Sequence, residues 1–364
     1  MLLINFIRVI PGGNFVYTYN LIKYIANSSF WSGKVILAIS SANLEGIDFD
    51  ISNLRVEVVD VEGGLFSTIL SERKSIKKIY KKYKCEVKCY LSPNTLFPFY
   101  HFPKVKMVSV IHDLNFVELK VPLAKKIYKY LLYNYTALVA DKLICISQFT
   151  QNVLENTVLP KIQRKSIVVY NGVQVPPATT CNEQPLTEKA YALSFGHQEH
   201  KNLNGSIELI KSYNKSNPEA RLRLKVIGSS HAIEDLKMKE YSFIDFLGRV
   251  SDEEVELYLK NAKFLVFLSD YEGFGLPVFE AFASKTAVII SAQQALVEIA
   301  SGHAFVNENC ENTVSYMEKI LSDDAEYNLV VESAFDYVSN YTWNETFNVI
   351  LDLNIKNYLF ESAC

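Results

Sequence analysis

Y-E-G-F-G-L-P-V-F-E-A-F-A, Tyr271 to Ala283, follows an apolar run, Phe264-Leu265-Val266-Phe267-Leu268, after only two residues. A run this short, aliphatic and aromatic throughout, reads as a strand buried on both faces in a parallel sheet. Two glycines, a proline and the pattern Val278-Phe279-Glu280-Ala281-Phe282-Ala283 come next. The segment therefore predicts a strand, a Gly-rich turn and the start of a helix. Pro277 suits the first helical turn, where its missing N–H removes no hydrogen bond. The free N–H groups of such a turn point past the C-terminal end of the strand, and a place of that kind attracts phosphate. Glu272 and Glu280 bracket it, eight positions apart. A carboxylate ligates phosphate poorly but accepts readily from hydroxyls. The expected ligand therefore carries both phosphate and hydroxyls, as a nucleotide sugar does.

Outward from this stretch, short apolar runs alternate with helix-period segments. In the first half Leu2–Ile7, Lys34–Ile39, Val56–Val59, Val105–Ile111, Lys142–Ile146 and Ile167–Val169 read as strands. Tyr17–Ala26, Glu72–Tyr83, Ala124–Ala137 and Phe149–Val158 read as helices. In the second half the strands are Ala190–Phe195, Leu222–Ile227, Phe243–Phe246, Phe264–Leu268 and Thr286–Ile290. The helices there are Leu203–Ser212, Asp252–Asn261, Val278–Ala283 and Thr313–Leu321. Alternation on this scale predicts an α/β chain with two parallel sheets, each wrapped by helices. Asn171-Gly172-Val173-Gln174-Val175-Pro176-Pro177 and the polar stretch to Glu188 read as the linker between them. Ligands of such sheets bind beyond the C-terminal strand ends, so two facing sheets would share a cleft.

The composition fits this organisation. At 364 residues the chain exceeds one ordinary core and suits two domains. With 49% hydrophobic and 21% charged residues it is globular rather than disordered. The mean hydropathy of +0.06 is high enough to raise the question of a membrane surface. No apolar run approaches the ~20 residues that span a bilayer. Met1-Leu2-Leu3-Ile4-Asn5-Phe6-Ile7-Arg8 lacks a basic leader and a cleavage site and reads as a first strand. The 6 scattered cysteines lack zinc-ligand spacing and are expected to be reduced thiols. The net charge of −3 conceals an asymmetry. Residues 1–175 hold 22 Lys and Arg against 12 Asp and Glu, or +10, and the remainder 15 against 28, or −13.

The stretch E-G-F-G-L-P-x-x-E after a buried strand resembles the E-x7-E element of glycosyltransferase family 4, whose members are retaining enzymes of the GT-B fold. Further segments resemble that family along nearly the whole chain. Pro11-Gly12-Gly13 looks like its glycine loop, near the donor diphosphate and the acceptor. Ile111-His112-Asp113-Leu114 resembles its cleft histidine segment, with His112 contacting the transferred sugar and Asp113 on the acceptor side. Ile146-Ser147-Gln148-Phe149-Thr150 and Asn171-Gly172-Val173 match structural segments, with Ser147 expected as an N-cap. Phe195-Gly196-His197-Gln198-Glu199-His200-Lys201-Asn202-Leu203 resembles the family's glycine followed by Arg-Lys-Asn. Here His200 stands where arginine is expected, and the loop is one residue short. Histidine lacks the permanent bidentate charge of arginine, so a weaker or pH-dependent diphosphate clamp is expected. Gly228, Arg249 and the segment Gln294–Glu298 match the base and ribose side, and Tyr341-Thr342-Trp343 precedes a last helix crossing back to the first domain.

The resemblance implies two Rossmann-like doubly wound domains with an interdomain cleft. Residues 1–175 with a crossover helix at 345–364 would form the acceptor side, and 176–344 the nucleotide-sugar side. It assigns Glu280 to the ribose hydroxyls and Glu272 to the hexose hydroxyls. Lys201, His200 and the backbone of Phe274, Gly275 and Leu276 would hold the diphosphate. No cofactor is implied and no metal is required. Asp48-Phe49-Asp50 lies in a polar loop rather than at a buried strand end, so it is not read as a metal site. Arg73, Lys74, Lys77, Lys78, Lys81, Lys82, Lys84 and Lys88 surround Ile76, Ile79, Tyr80 and Tyr83 at helical spacing. That pattern suits an anionic membrane surface, and Val121–Tyr135 repeats the mixture. A pI near 6.1 and the lack of a recognition motif argue against nucleic acid. The expected function is transfer of a hexose, with mannose, rhamnose or fucose favoured, to a lipid-linked oligosaccharide in surface polysaccharide assembly. The enzyme would sit at the cytoplasmic face of the membrane. A nucleotide-sugar epimerase, a phosphorylase and a non-catalytic sugar-nucleotide-binding protein are the alternatives.

Overall fold

The computed structural model describes residues 1–8, 12–60, 65–93, 100–175, 191–196, 198–228 and 241–360. Pro11, His197 and the linker from Pro176 to Glu188 lie outside the described residues. The chain divides into two compact units, Met1–Gly172 with Trp343–Cys364, and Val173–Thr342.

The first unit is built on a seven-stranded sheet, all neighbours parallel. Its strands are β1 Leu2–Phe6, β2 Val35–Ile39, β3 Arg55–Val58, β4 Cys89–Ser92, β5 Lys106–Ile111, β6 Lys142–Cys145 and β7 Ser166–Val168, in the order β3-β2-β1-β4-β5-β6-β7. Every residue of β1, β2 and β4 is buried, because helices cover both faces of a doubly wound sheet. Each large apolar side chain so buried contributes about 1.5–3 kcal/mol. The strand order reverses between β1 and β4, which opens a crevice at their C-terminal ends.

Two readings of this unit are corrected. The basic segment is a helix over Leu65–Lys82, and the chain then turns into β4, which the sequence reading missed. The apolar stripe of this helix is also not available to a membrane. Ile76, Ile79 and Tyr80 are buried in the core with Tyr90, Phe102 and Met107. Burying that stripe on the sheet satisfies the same amphipathic pattern that a lipid surface would.

The last segment runs from a helix Trp343–Phe347 through a π-helical stretch, Asn348–Ile355, to Lys356–Phe360. Trp343 stacks on Phe347 at 5.5 Å, and both rings meet Tyr17 edge-on at 5.8 and 5.4 Å. Thr346 donates to the carbonyl of Tyr170 at 2.9 Å.

The second unit repeats the plan with six parallel strands. They are β8 Tyr191–Phe195, β9 Arg223–Ile227, β10 Ile244–Gly248, β11 Phe264–Phe267, β12 Ala287–Ser291 and β13 Phe305–Asn307, in the order β10-β9-β8-β11-β12-β13. The expected strand over Phe264–Leu268 is β11, wholly buried, and the expected helix follows as Leu276–Ala283 with Pro277 in its first turn. Here the reversal falls between β8 and β11. Among the described residues no helix is long and apolar enough to cross a membrane.

Candidate active site

In the second unit the two loops singled out from the sequence emerge from β8 and β11, the strands that flank the reversal. The loop after β11 is shaped by Gly275, at φ 107° and ψ 52°. A Cβ there would lie 2.6 Å from Leu296 Cδ2, so both the backbone angle and the space require glycine. With Gly275 as N-cap, the helix Leu276–Ala283 begins at the strand's end; Pro277 has no N–H and Val278 N–H donates to the Gly275 carbonyl at 2.9 Å, which leaves Leu276 N–H as the first-turn donor without an intrahelical partner. The Phe274 side chain is buried edge-on against Phe279 at 5.0 Å. Its part in any site is therefore that of its backbone.

The loop after β8 passes through Gly196 into a 3₁₀ turn, Glu199–Lys201. Asn202 follows in a left-handed conformation at φ 50° and caps the helix Leu203–Ser216, its Oδ1 accepting from Gly205 N–H at 3.1 Å. Lys201 is thereby aimed across the reversal. Its Nζ lies 2.6 Å from Glu272 Oε1, the two side chains only 9% and 13% exposed, and 4.9 Å from the Phe267 ring centroid. A buried pair of this kind is costly to break from one side, about 3–5 kcal/mol.

Backbone hydrogen bonds tie the two loops together. The carbonyl of His200 accepts from Asp270 N–H at 2.7 Å and from the Ser269 hydroxyl at 2.9 Å. Ser291 in turn donates to the Ser269 carbonyl at 2.5 Å. Histidine in the expected arginine position is thus anchored by its main chain.

Glu280 sits half-buried on the helix Leu276–Ala283. Burial pushes its carboxyl up to about 7, the Asp252 charge adds to this, and Lys201 opposes it. Glu272, Lys201 and Glu280 therefore stand in one electrostatic neighbourhood, joined to the Gly275 turn. Gln293 supports it, donating to the Glu272 carbonyl at 3.3 Å while its Oε1 accepts from Leu296 N–H at 3.1 Å. Sequence reasoning missed Gln293, because glutamine is not among the preferred N-caps. Arg249 is exposed beside Gly248, and no described contact draws it into this group.

In the first unit, Gly12 has φ 133° and precedes the helix Gly13–Ala26, both glycines being exposed. His112 lies at the C-terminal end of β5 and is buried. Its Nε2 is 2.7 Å from the carbonyl of Pro93, which can only accept, so Nε2 carries the proton. Nδ1 is then the lone-pair nitrogen. Burial lowers the His112 pKa, with the Pro93 carbonyl and Asp113 opposing, so the ring is neutral at pH 7. Tyr17 supports the ring edge-on at 4.9 Å. Asp113 turns the chain, its Oδ1 accepting from Asn115 N–H at 3.0 Å and its carbonyl from the Tyr133 hydroxyl. Ser147 caps its helix as expected, accepting from Thr150 N–H at 3.0 Å.

A second cluster in this unit went unread. Asn5 on β1 donates to Glu72 at 2.7 Å and to the Tyr90 hydroxyl on β4 at 3.0 Å, and Arg8 Nε lies 3.1 Å from the same carboxylate. It spans the first sheet's own reversal. The one signal in the sequence was a single glutamate among lysines.

Asp48 accepts from the Tyr19 hydroxyl on the helix Gly13–Ala26, and Asp50 closes a local turn by accepting from Ser52 N–H at 2.8 Å. Among the described residues no group of three or more His, Cys, Asp and Glu is placed to hold a metal.

Comparison with known proteins adds to this geometry. Residues 182–336 match the family described as Glycosyl transferases group 1. The chain is 29% identical to an uncharacterized glycosyltransferase, MJ1178, of Methanocaldococcus jannaschii, over 52% of this chain and 51% of that protein. It is 26% identical to O-antigen chain mannosyltransferase B of Escherichia coli, over 58% of this chain and 53% of that protein. The chain thus spans about half the length of the curated relatives it matches. Among solved structures it superposes on a sucrose-phosphate synthase from Thermosynechococcus elongatus with a TM-score of 0.78 and 16% identity, covering 98% of both chains. Anabaena Alr3699/HepE in complex with UDP-glucose gives 0.73 and 14%, covering 97% of this chain and 99% of that one. The chain therefore has the fold of these proteins and resembles group 1 glycosyltransferases and O-antigen mannosyltransferases.

Proposed function

We propose that this chain is a retaining glycosyltransferase that needs no metal. It transfers a hexose, with mannose, rhamnose or fucose favoured, from a nucleotide sugar to a lipid-linked oligosaccharide in surface polysaccharide assembly. It works at the cytoplasmic face of a membrane, which its basic first half would meet. The observation that carries this reading is the convergence of Lys201, Glu272, Glu280 and the Gly275 helix start at the reversal between β8 and β11. The likeness to O-antigen mannosyltransferases supports the sugar and acceptor class. The likeness in fold to a chain bound to UDP-glucose supports a nucleotide-sugar donor.

Each residue has a task in this reading. Glu280 accepts hydrogen bonds from the ribose hydroxyls, and Glu272 from those of the hexose. Lys201 and the backbone of Phe274, Gly275 and Leu276 hold the diphosphate. As the glycosidic bond breaks, negative charge grows on the departing phosphate, and fixed donors aimed there stabilise the transition state more than the ground state. The Glu272 carboxylate keeps the Lys201 ammonium in place until the donor arrives. For the first unit, the family resemblance would assign neutral His112 to the transferred sugar, Gly12 and Gly13 to the donor, and Asp113 to the acceptor side.

A thermal-shift screen with UDP-, GDP-, ADP- and dTDP-sugars tests the donor class, because a ligand that binds only the folded protein raises Tm by mass action. One nucleotide family is expected to stabilise the protein, and Lys201→Ala to remove most of that shift. A protein that no nucleotide sugar stabilises would refute the donor reading.

A further inference from the structure

Arg8 follows β1 at the first sheet's reversal, and buried polar groups hold it there. Asn5, Glu72 and Tyr90 are 0%, 2% and 1% exposed. The Asn5 amide has two tasks. Its Nδ2 donates to Glu72 Oε1 and to the Tyr90 hydroxyl, and its Oδ1 accepts from Ile7 N–H at 3.2 Å. Asn43 donates to the carbonyls of Phe6 at 3.0 Å and Ile7 at 3.4 Å. The backbone is thus pinned just before Arg8, and the carboxylate that faces Arg8 is pinned from the sheet.

Burying a carboxylate costs free energy that an ion pair and hydrogen bonds only offset. Apolar residues of the same volume would hold the helix Leu65–Lys82 on the sheet as well or better. What the polar cluster adds is a cation in a fixed place. Arg8 Nε lies 3.1 Å from Glu72 Oε2, and the Arg8 side chain is 30% exposed against 3% for Glu72. Among the described residues Nη1 and Nη2 of Arg8 have no hydrogen-bond partner. The open side of the guanidinium is a planar fork of donors, which matches the two oxygens of a phosphate or a carboxylate.

The second unit uses the same device. There Lys201 stands at the reversal between β8 and β11, held by Glu272. A cation kept in place by a buried carboxylate, where doubly wound sheets bind their ligands, suits an anion. The balance of +10 over residues 1–175 favours an anionic ligand for the first unit as well. His112 and Asp113 follow β5, which β4 separates from β1, about 10 Å at sheet spacing.

We infer that Arg8, positioned by Glu72 and Asn5, binds an oxyanion carried by the acceptor. This rests on the proposed glycosyltransferase reading and deepens it, since the first unit then selects acceptors by an acidic group. Arg8 supplies the charge and two N–H donors. Glu72 aims the fork without touching the ligand. Two sources offer this chemistry, the phosphate that joins a saccharide to a prenyl anchor and the carboxylate of a uronic acid.

Calorimetric titration of the full chain with geranyl diphosphate and with methyl glucuronide separates the two sources. Geraniol and methyl glucoside are the uncharged counterparts. At least one anion is expected to bind about tenfold or more tightly than its counterpart. Arg8→Ala should remove that advantage, and Arg8→Lys should restore only part of it, because an ammonium is not a bidentate fork. Arg8→Ala also leaves the Glu72 carboxylate buried without its ion pair, which lowers Tm by itself. Arg8→Met/Glu72→Gln removes both charges at similar volume, so the loss of anion affinity is read there on a folded protein. Failure of both anions to bind, or equal affinity for anion and counterpart, would overturn the inference. So would anion binding that the Arg8 variants retain and Lys201→Ala removes, which would assign the anion to the second unit. Stabilisation by nucleotide sugars, measured on the same samples, reports the glycosyltransferase reading separately. Its absence beside Arg8-dependent anion binding would refute that reading and not the anion site.

Discussion

Glu280 is the residue at which stability and function pull apart. Its folded pKa, about 7, is raised above the ordinary 4.5 of a glutamate, so the native state keeps a proton that the unfolded chain has released. Stability is therefore lost as pH rises from about 4.5 to 7 and stays low above that. Glu280→Gln removes the charge at little cost in shape. In the unliganded protein it should add up to about 3 kcal/mol at pH 8 and less than about 1 kcal/mol at pH 5. The same change should weaken nucleotide binding about tenfold, because hydrogen bonds to a charged acceptor are worth roughly 1.5–3 kcal/mol each. Urea unfolding at the two pH values and calorimetric titration with nucleotide check the two halves. A variant that is no more stable at pH 8 would show that the carboxyl is not held in a charge-averse place. A variant with unchanged nucleotide affinity would remove Glu280 from the ribose.

At the scale of elements, the decisive piece is the turn between β11 and the helix Leu276–Ala283. Its reading from sequence was sound because the information is local: a buried run, glycines, a proline and an apolar helix face within twenty residues. Gly275→Ala tests the turn. The positive φ costs roughly 1–2 kcal/mol for an L side chain, and the Cβ must also displace Leu296, which is buried. A loss of about 1–3 kcal/mol is expected, with Leu296→Ala relieving the crowding but not the backbone strain. Denaturation of the two single variants and the double variant separates these contributions. A Gly275→Ala protein as stable as its parent would mean that the turn adopts another conformation.

Other elements were not legible, for physical reasons. β4 follows a lysine-rich segment that reads as uninterrupted helix, and β13, Phe305–Asn307, holds only two apolar residues between polar neighbours. The Lys201–Glu272 pair joins residues 71 apart, and only the adjacency of β8 and β11 brings them together. Strand order is a property of pairing, which a single sequence does not print. For Leu123–Val139, periodicity finds an amphipathic helix but does not tell which of its apolar residues the sheet covers.

At the scale of the molecule, the two sheets share one winding order, and each reversal carries its own polar cluster. In the second unit it is Lys201, Glu272 and Glu280. In the first it is Asn5, Glu72 and Tyr90, with His112 two strands from β1. The charge asymmetry between the halves, +10 over residues 1–175 and −13 over the remainder, follows nearly the same division. The central claim is that the cluster of Lys201, Glu272 and Glu280 binds a nucleotide sugar and releases its diphosphate with the chain's own residues. The measurement that tests it most directly is release of nucleoside diphosphate from the stabilising donor, with acceptor-bearing membranes, in excess EDTA. The account predicts turnover that survives chelation and falls by at least about a hundredfold in Lys201→Ala, a loss of about 2.7 kcal/mol of transition-state stabilisation. Turnover that EDTA abolishes and a divalent ion restores, or a Lys201→Ala enzyme as fast as its parent, would contradict it.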